Sequence, residues 1–322
     1  MLNWGIIGTG NIARSMADAL KHVPKAQKYA VASRHIETAD QFAKTWGFQR
    51  AYGSYADLLA DRAVDIVYIA TPNSRHKQDI LDAIGAGKHV LCEKPMTLSA
   101  QDSADCFAAA HAAGVFLMEA LWTAFFPAMQ KAIEVIQSGT IGPVHYITAN
   151  FVSYRDADMH PILFDPNLAG GARNDLGIYP LAAALLLAGP MRHFQTHSVM
   201  GPSGVDEMTT FSVEHENGAL SVLTCGFRVE LPIAVTCVGA HGTLEIPNDF
   251  HRPNLVKVTV GDTVAEHAVP FIANGYAHEA IAFQARVLGE TDDIVWGQNE
   301  TLSVARVLQN SDHGCITALP CE

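Results

Sequence analysis

Leu2-Asn3-Trp4-Gly5-Ile6-Ile7-Gly8-Thr9-Gly10-Asn11-Ile12-Ala13 begins as a mostly apolar run and ends in the pattern GxGxxA. Between a strand and a helix, each part of that pattern has a physical task. The first glycine makes the tight turn, and the second lets the backbone approach a pyrophosphate. The helix that follows offers unbonded N–H groups and the positive end of its dipole. A glycine pair alone often marks a plain turn, but here the strand before and the helix after select the phosphate cradle. Gly8, Thr9, Gly10, Asn11 and Ile12 are therefore the first candidate dinucleotide-binding residues.

Outward from this stretch, apolar runs at 2–7, 29–33, 64–70, 89–92 and 115–118 alternate with helical patterns. Most of the runs are continuously apolar, as strands covered on both faces by helices are. Ser54, with Asp57 three residues on, reads as a helix start. Ser99 reads as another, its helix closed by Gly114. The expectation is a set of βαβ units, an α/β Rossmann domain with a doubly wound parallel sheet, over residues 1–120.

From about residue 144 the pattern changes. Segments at 145–153, 209–215, 219–229, 233–238, 255–260 and 263–269 have period-two character. Glu216-Asn217-Gly218, Ala240-His241-Gly242 and Val260-Gly261-Asp262 punctuate them. This predicts hairpins in one large, mostly antiparallel, open-faced sheet within an α+β domain over residues 121–322. Helical patterns cover 174–188, 277–288 and 300–309. The runs at 219–229 and 233–238 are apolar on both alternations. An uncovered sheet face of that kind needs burial, so a homodimer through the C-terminal sheet is expected.

A chain of 322 residues is long enough for about two domains, and its 49% hydrophobic and 17% charged residues are those of a globular protein. A net charge of −12 disfavours nucleic acid as a partner. The longest apolar run, at 178–188, is too short to span a bilayer, so no membrane is expected. The N-terminus enters a strand with no basic stretch ahead of it, and six scattered cysteines lack CxxC spacing. A reducing, cytoplasmic setting is the expectation. Fifteen histidines raise the question of a metal. His193 and His197 read as strand residues, however, where four positions span about 13 Å, and no HExxH exists. No metal is expected.

The residue that reads the adenosine ribose lies about 20 positions beyond the glycines. An acid there would hold the hydroxyls of NAD, but this chain has Ser33-Arg34-His35. Arginine pairs with a 2′-phosphate and stacks on adenine, so the reading favours NADP, with NAD the other option. Glu93-Lys94-Pro95 follows a strand at its carboxyl end, where ligands of open α/β sheets sit. On spacing alone Lys94 is equally an ordinary surface lysine. Asp175 and Tyr179 are four apart on an expected helix and therefore share a face. The bland alternative is a helix cap and a packed ring. His160, in the loop before that helix, reads first as a satisfied structural histidine and Trp122 as packing at the domain junction; a place in the pocket is the other reading of each.

The strings GIIGTGNIA, VASR, ATPNSRH, GKHVLCEKPMTLS, MEALWTAFFP and GGARNDLGIYP together resemble the glucose–fructose oxidoreductase/inositol dehydrogenase (Gfo/Idh/MocA) family. Within it they are most similar to the trans-1,2-dihydrodiol dehydrogenase and NADP-linked D-xylose dehydrogenase branch. The resemblance implies Lys94 and Tyr179 as the catalytic pair, with Asp175 beside them. It also implies cofactor contacts at Ser33, Arg34, Thr71, Pro72, Asn73, His76, Glu93 and Lys94, and a substrate wall drawn from Trp122, Phe151, His160, Arg173 and Asn174. Where that branch carries WTRFFP this chain has Ala124, and where it has apolar residues after GGA this chain has Arg173 and Asn174. The expected activity is an NADP-dependent dehydrogenase or reductase acting on a carbohydrate, polyol or vicinal diol. A non-catalytic dinucleotide sensor and an NAD-retaining glycosidase are the alternatives on the same fold.

Overall fold

The computed structural model describes residues 1–310 and 317–318. Two compact units emerge, one of residues 1–122 and 272–301, the other of residues 123–271 with the chain from 302 onward.

The first unit is built on six parallel strands: β1 (Leu2–Ile7), β2 (Ala26–Ala32), β3 (Arg50–Tyr52), β4 (Ile66–Ile69), β5 (His89–Glu93) and β6 (Leu117–Ala120). Their order is β3-β2-β1-β4-β5-β6, so the order in which successive strands are added reverses between β1 and β4, the switch point where ligands of such folds bind. The connecting helices are α1 (Asn11–Ala19), α2 (Ile36–Trp46), α3 (Tyr55–Ala60), α4 (His76–Gly85) and α5 (Ala100–Ala113). Ser54 and Ser99 cap α3 and α5 by accepting from the N–H of Asp57 and Asp102, and Gly114 ends α5 in the left-handed conformation. β3 was not anticipated, because three polar or half-buried residues at a sheet edge carry no apolar run.

In the second unit α6 (Pro127–Gln137) leads to β7 (Val144–Val152) and then α7 (Ile178–Ala188). The chain continues through β8 (Met191–Met200), β9 (Asp206–His215), β10 (Leu220–Gly226), β11 (Ala234–Gly239), β12 (Gly242–Ile246), β13 (Leu255–Val260) and β14 (Thr263–Ala268). With β15 (Thr317–Ala318) they form one sheet in the order β14-β13-β12-β11-β7-β10-β9-β8-β15. Every pairing is antiparallel except β10 with β7. The helix expected at 174–188 is not regular. Residues Arg173–Gly177 form a π-helical turn and the α-helix starts at Ile178. Pro180 has no N–H to give to an i−4 carbonyl, so no bond of α spacing from residue 180 can close over the turn.

Residues 272–301 return to the first unit with α8 (Tyr276–Val287) and the start of α9 (Gln298–Asn310). The reason lies in β1. Trp4 is fully buried, and its indole N–H donates to Gln284 Oε1 at 3.0 Å. Phe283 packs its ring against Trp4 (5.9 Å) and Phe116 (5.1 Å), so α8 seals apolar surface that β1 and the chain entering β6 would otherwise expose. Among the described residues no helix is long and apolar enough to cross a membrane.

Candidate active site

At the end of β1, Gly8 has φ +104°, and a Cβ there would lie 2.5 Å from the carbonyl oxygen of Ala70. Only glycine lets β1 turn this close to the chain leaving β4. A Cβ on Gly10 would meet nothing within 4 Å, and α1 begins there with no side chain bonded across its first N–H groups. An open helix start over a glycine turn fits a dinucleotide pyrophosphate. Thr9 and Arg14 also line a groove of about 560 Å³ shared with Glu37, Thr38 and Trp46. Ser33 is buried at the end of β2 and Arg34 is exposed beside it. Arg34 and Arg75 both lie near enough to the Tyr55 hydroxyl to oppose the rise that burial gives its pKa.

Beyond β4, the Thr71 hydroxyl donates to Asp79 Oδ2 at 2.7 Å, and Arg75 pairs with Oδ1 of the same carboxylate at 2.7 Å. Pro72 caps the short turn that holds Asn73. His76 is fully buried, with both ring nitrogens on backbone carbonyls, Thr71 O and Pro95 O. Both ring nitrogens are thus committed to the protein's own backbone.

The turn carrying Lys94 is held from several sides. The Tyr68 hydroxyl donates to Glu93 Oε1, and the Lys94 N–H donates to Glu93 Oε2. The peptide between Lys94 and Pro95 is cis. The next N–H, that of Met96, donates to Glu119 Oε1 at 2.7 Å. Trp296 Nε1 and the Thr301 hydroxyl both donate to Glu119 Oε2 at 3.0 Å. Glu119 therefore receives three donors while 3% exposed, and it anchors the backbone two residues past Lys94. Burial pushes the Glu93 carboxyl up to about 7, against the pull of Tyr68 and Lys94. Glu279 on α8 is fully buried with no hydrogen-bond partner on either oxygen, and burial followed by Glu93 drives its pKa far up. In the same unit, Trp122 packs against Tyr276 with ring centroids 4.4 Å apart and the planes tilted by 31°.

In the second unit Tyr179 stands in the first turn of α7 and Asp175 in the π turn before it. That turn is pinned by Asp206 on β9, whose Oδ2 accepts from the Arg173 N–H at 2.9 Å and from the Thr209 hydroxyl at 2.8 Å. Gly171, at φ +114°, is obligatory here because a Cβ would sit 2.4 Å from Asp206 Oδ1. Asn174 turns its amide onto the carbonyls of Ala169 and Gly170. The ring of Tyr179 lies 5.2 Å from Phe151 and 6.0 Å from His251, and the latter two stack at 4.6 Å. His160 is exposed in the loop before this turn, at the start of a short 3-10 helix. Among the described residues no cluster of three or more metal-type ligands exists.

Glu119, Glu279, Asp206 and His251 did not stand out in the sequence. Each owes its place to contacts between segments far apart in the chain, and none carries a local signal.

Residues 2–121 match the oxidoreductase family with an NAD-binding Rossmann fold, GFO/IDH/MocA, and residues 129–245 match its C-terminal domain. The chain is 36% identical over 259 residues to the trans-1,2-dihydrobenzene-1,2-diol dehydrogenase of Mus musculus, covering 79% of this chain and 77% of the relative. It is 34% identical over 313 residues to D-xylose 1-dehydrogenase (NADP(+)) 2 of Haloferax volcanii, covering 95% and 94%. Among solved structures, an aldose-aldose oxidoreductase from Caulobacter crescentus complexed with glycerol superposes with a TM-score of 0.89 at 24% identity, over 99% of each chain.

Proposed function

The chain belongs to the GFO/IDH/MocA oxidoreductase family, NAD(P)-dependent enzymes of sugars and diols, and from that premise we propose that it is an NADP-linked dehydrogenase or reductase of a sugar, polyol or vicinal diol hydroxyl. The observation that carries the reading is the pairing, within one unit, of an open helix start over Gly8 and Gly10 with a lysine turn braced by two buried carboxyl groups. In this proposal residues 1–120 bind the dinucleotide, and residues 121–322 supply the substrate site and the subunit contact.

The open helix start over Gly8 and Gly10 would hold the dinucleotide, which when bound would supply hydride exchange with the carbon of the substrate's hydroxyl or carbonyl group. Tyr179 holds the proton that leaves or joins the hydroxyl, and Lys94 provides a positive charge that lowers the phenol's pKa from about 10 towards neutrality. The braced backbone after Lys94 keeps that ammonium from wandering. Asp175 accepts a hydrogen bond from a second substrate hydroxyl, with Phe151, His160, Arg173 and Asn174 of the same unit assigned to the wall, and Trp122 assigned to it from the first unit. Following nicotinamide absorbance against a panel of aldoses, polyols and trans-diols tests the reading. Net reduction with one class supports it. Binding without turnover would point to a sensor, and hydrolysis without net reduction to a glycosidase.

Arg34 is assigned to the 2′-phosphate. Arg34→Ala is expected to weaken NADPH by about 1–3 kcal/mol, the range for a hydrogen bond to a charged group, and to leave NADH unchanged. Calorimetry on both dinucleotides checks this, and tighter NADH in the unaltered protein would reverse the assignment.

The large sheet presents an exposed apolar row. Leu220, Tyr146 and Val238 are register partners across β10, β7 and β11 and therefore share a face. A second copy of the chain is assigned to this face. Tyr146→Lys is expected to halve the particle mass in light scattering at micromolar concentration. A monomeric unaltered protein would refute the assembly.

A further inference from the structure

His76 sits where two loops of the first unit come together, and the chemistry of its contacts is unusual. Nδ1 lies 2.9 Å from Pro95 O and Nε2 lies 2.9 Å from Thr71 O. A carbonyl oxygen only accepts. A neutral imidazole has one N–H and one lone pair, so it can donate to one of these oxygens and must turn a lone pair on the other. The side chain is fully buried, so bulk water cannot mend the mismatch. Only the imidazolium, with two N–H donors, satisfies both contacts.

We infer that His76 is a positioning residue that closes a proton-dependent clamp between the loop of Thr71 and the turn of Lys94 and Pro95. As imidazolium it ties both segments, and as a neutral ring it ties one. The consequence for activity rests on the function proposed above, in which the Thr71 loop meets the dinucleotide and Lys94 meets the substrate. The clamp makes the placement of one depend on the other.

Asp79, one turn along α4, favours the charged ring, though Arg75 pairs with Oδ1 of that carboxylate and the Thr71 hydroxyl donates to Oδ2. Lys94, from the clamped turn itself, opposes the charge. Burial is the largest influence and sets the net direction, which is down from the usual histidine range; the two carbonyl contacts and Asp79 offset it in part. The sign follows from this. The clamp closes as the pH falls through a lowered histidine pKa and is open above it.

The experiment uses the full-length protein with nitrogen-15-labelled histidine and no ligand, followed by NMR across the pH range in which the fold survives. His76→Asn assigns the signal, and His76→Gln replaces it if the first variant does not fold. The expected result is a ring protonated on both nitrogens at the acid end, converting to a single neutral tautomer with a midpoint below about 6.5. A ring that is neutral throughout, or charged throughout, overturns the clamp. In the second arm, NADPH dissociation constants are measured over the same range. Binding is expected to weaken about three- to ten-fold as the clamp opens, the factor carried by one ordinary hydrogen bond, with no such step in the variant. An NADPH affinity that runs through the midpoint with no step refutes the coupling of the loops. A protein that binds no nicotinamide dinucleotide at all refutes the proposed function instead, and the ring spectrum still decides the clamp.

Discussion

Tyr179→Phe is expected to lower kcat by about 10²–10⁴-fold, the span of a lost general acid or base, while leaving dinucleotide affinity unchanged. The ring itself stays, so its packing against Phe151 and His251 persists and only the hydroxyl, the proposed proton carrier, goes. Lys94→Ala is expected to act differently. In the proposed catalytic pair Lys94 supplies a positive charge that favours the ionised phenol, so its removal is expected to move the pH–rate profile to higher pH as well as lower it. The double variant is expected to be little worse than the worse single one, because residues that act as one device lose that device once. Stopped-flow and steady-state rates across pH measure all three. If the two losses multiply, the residues act independently and the shared proton step is wrong.

The second large effect concerns stability. Glu119 accepts from Met96 N–H, Trp296 Nε1 and the Thr301 hydroxyl, donors drawn from both stretches of chain that make up the first unit. Glu119→Ala orphans all three in a buried place. At about 1–3 kcal/mol for each of the three unsatisfied donors, the loss in unfolding free energy is expected to reach roughly 3–9 kcal/mol. Glu119→Gln keeps the shape and one good acceptor, so it is expected to cost about half as much. Urea unfolding of both variants gives the comparison. A change below about 1 kcal/mol in the alanine variant would mean that the donors find other acceptors, and that the Lys94 turn is not anchored through this carboxylate.

What was legible in the sequence was local. The cradle at Gly8 and Gly10 could be read because turn, strand and helix lie within a dozen residues. The helix starts at Ser54 and Ser99 could be read because a cap and its partner are three residues apart. Strands with an apolar period were placed within a few residues of their observed ends. The edge strand β3 and the short β12 escaped because so few residues hold no measurable period. The rest depended on partners far along the chain. Nothing near Glu119 announces Trp296, and nothing near Gly171 announces Asp206. The helical pattern at 277–288 was visible, but its use as a cover for Trp4 was not, since periodicity shows that a face is apolar and not which surface it meets. His76 was legible as part of a motif, yet the demand its two carbonyl partners make on its protonation required coordinates.

The π turn at Arg173–Gly177 makes this stretch sensitive to counting. Both of its ends are fixed, upstream by Asp206 on the Arg173 N–H and downstream by the α-helix that starts at Ile178. A wide turn is what an α-helix becomes when one extra residue is accommodated without breaking it. Removing one residue here would restore regular winding with the flanks nearly in phase, because the wide turn and a regular turn each close about one revolution, but it would change which residue stands one turn before Tyr179. A substitution in the same five residues changes one side chain and keeps the count. The mutual orientation of Asp175 and Tyr179 is thus written in the number of residues between two anchors, and the stretch can exchange its letters more safely than it can lose one.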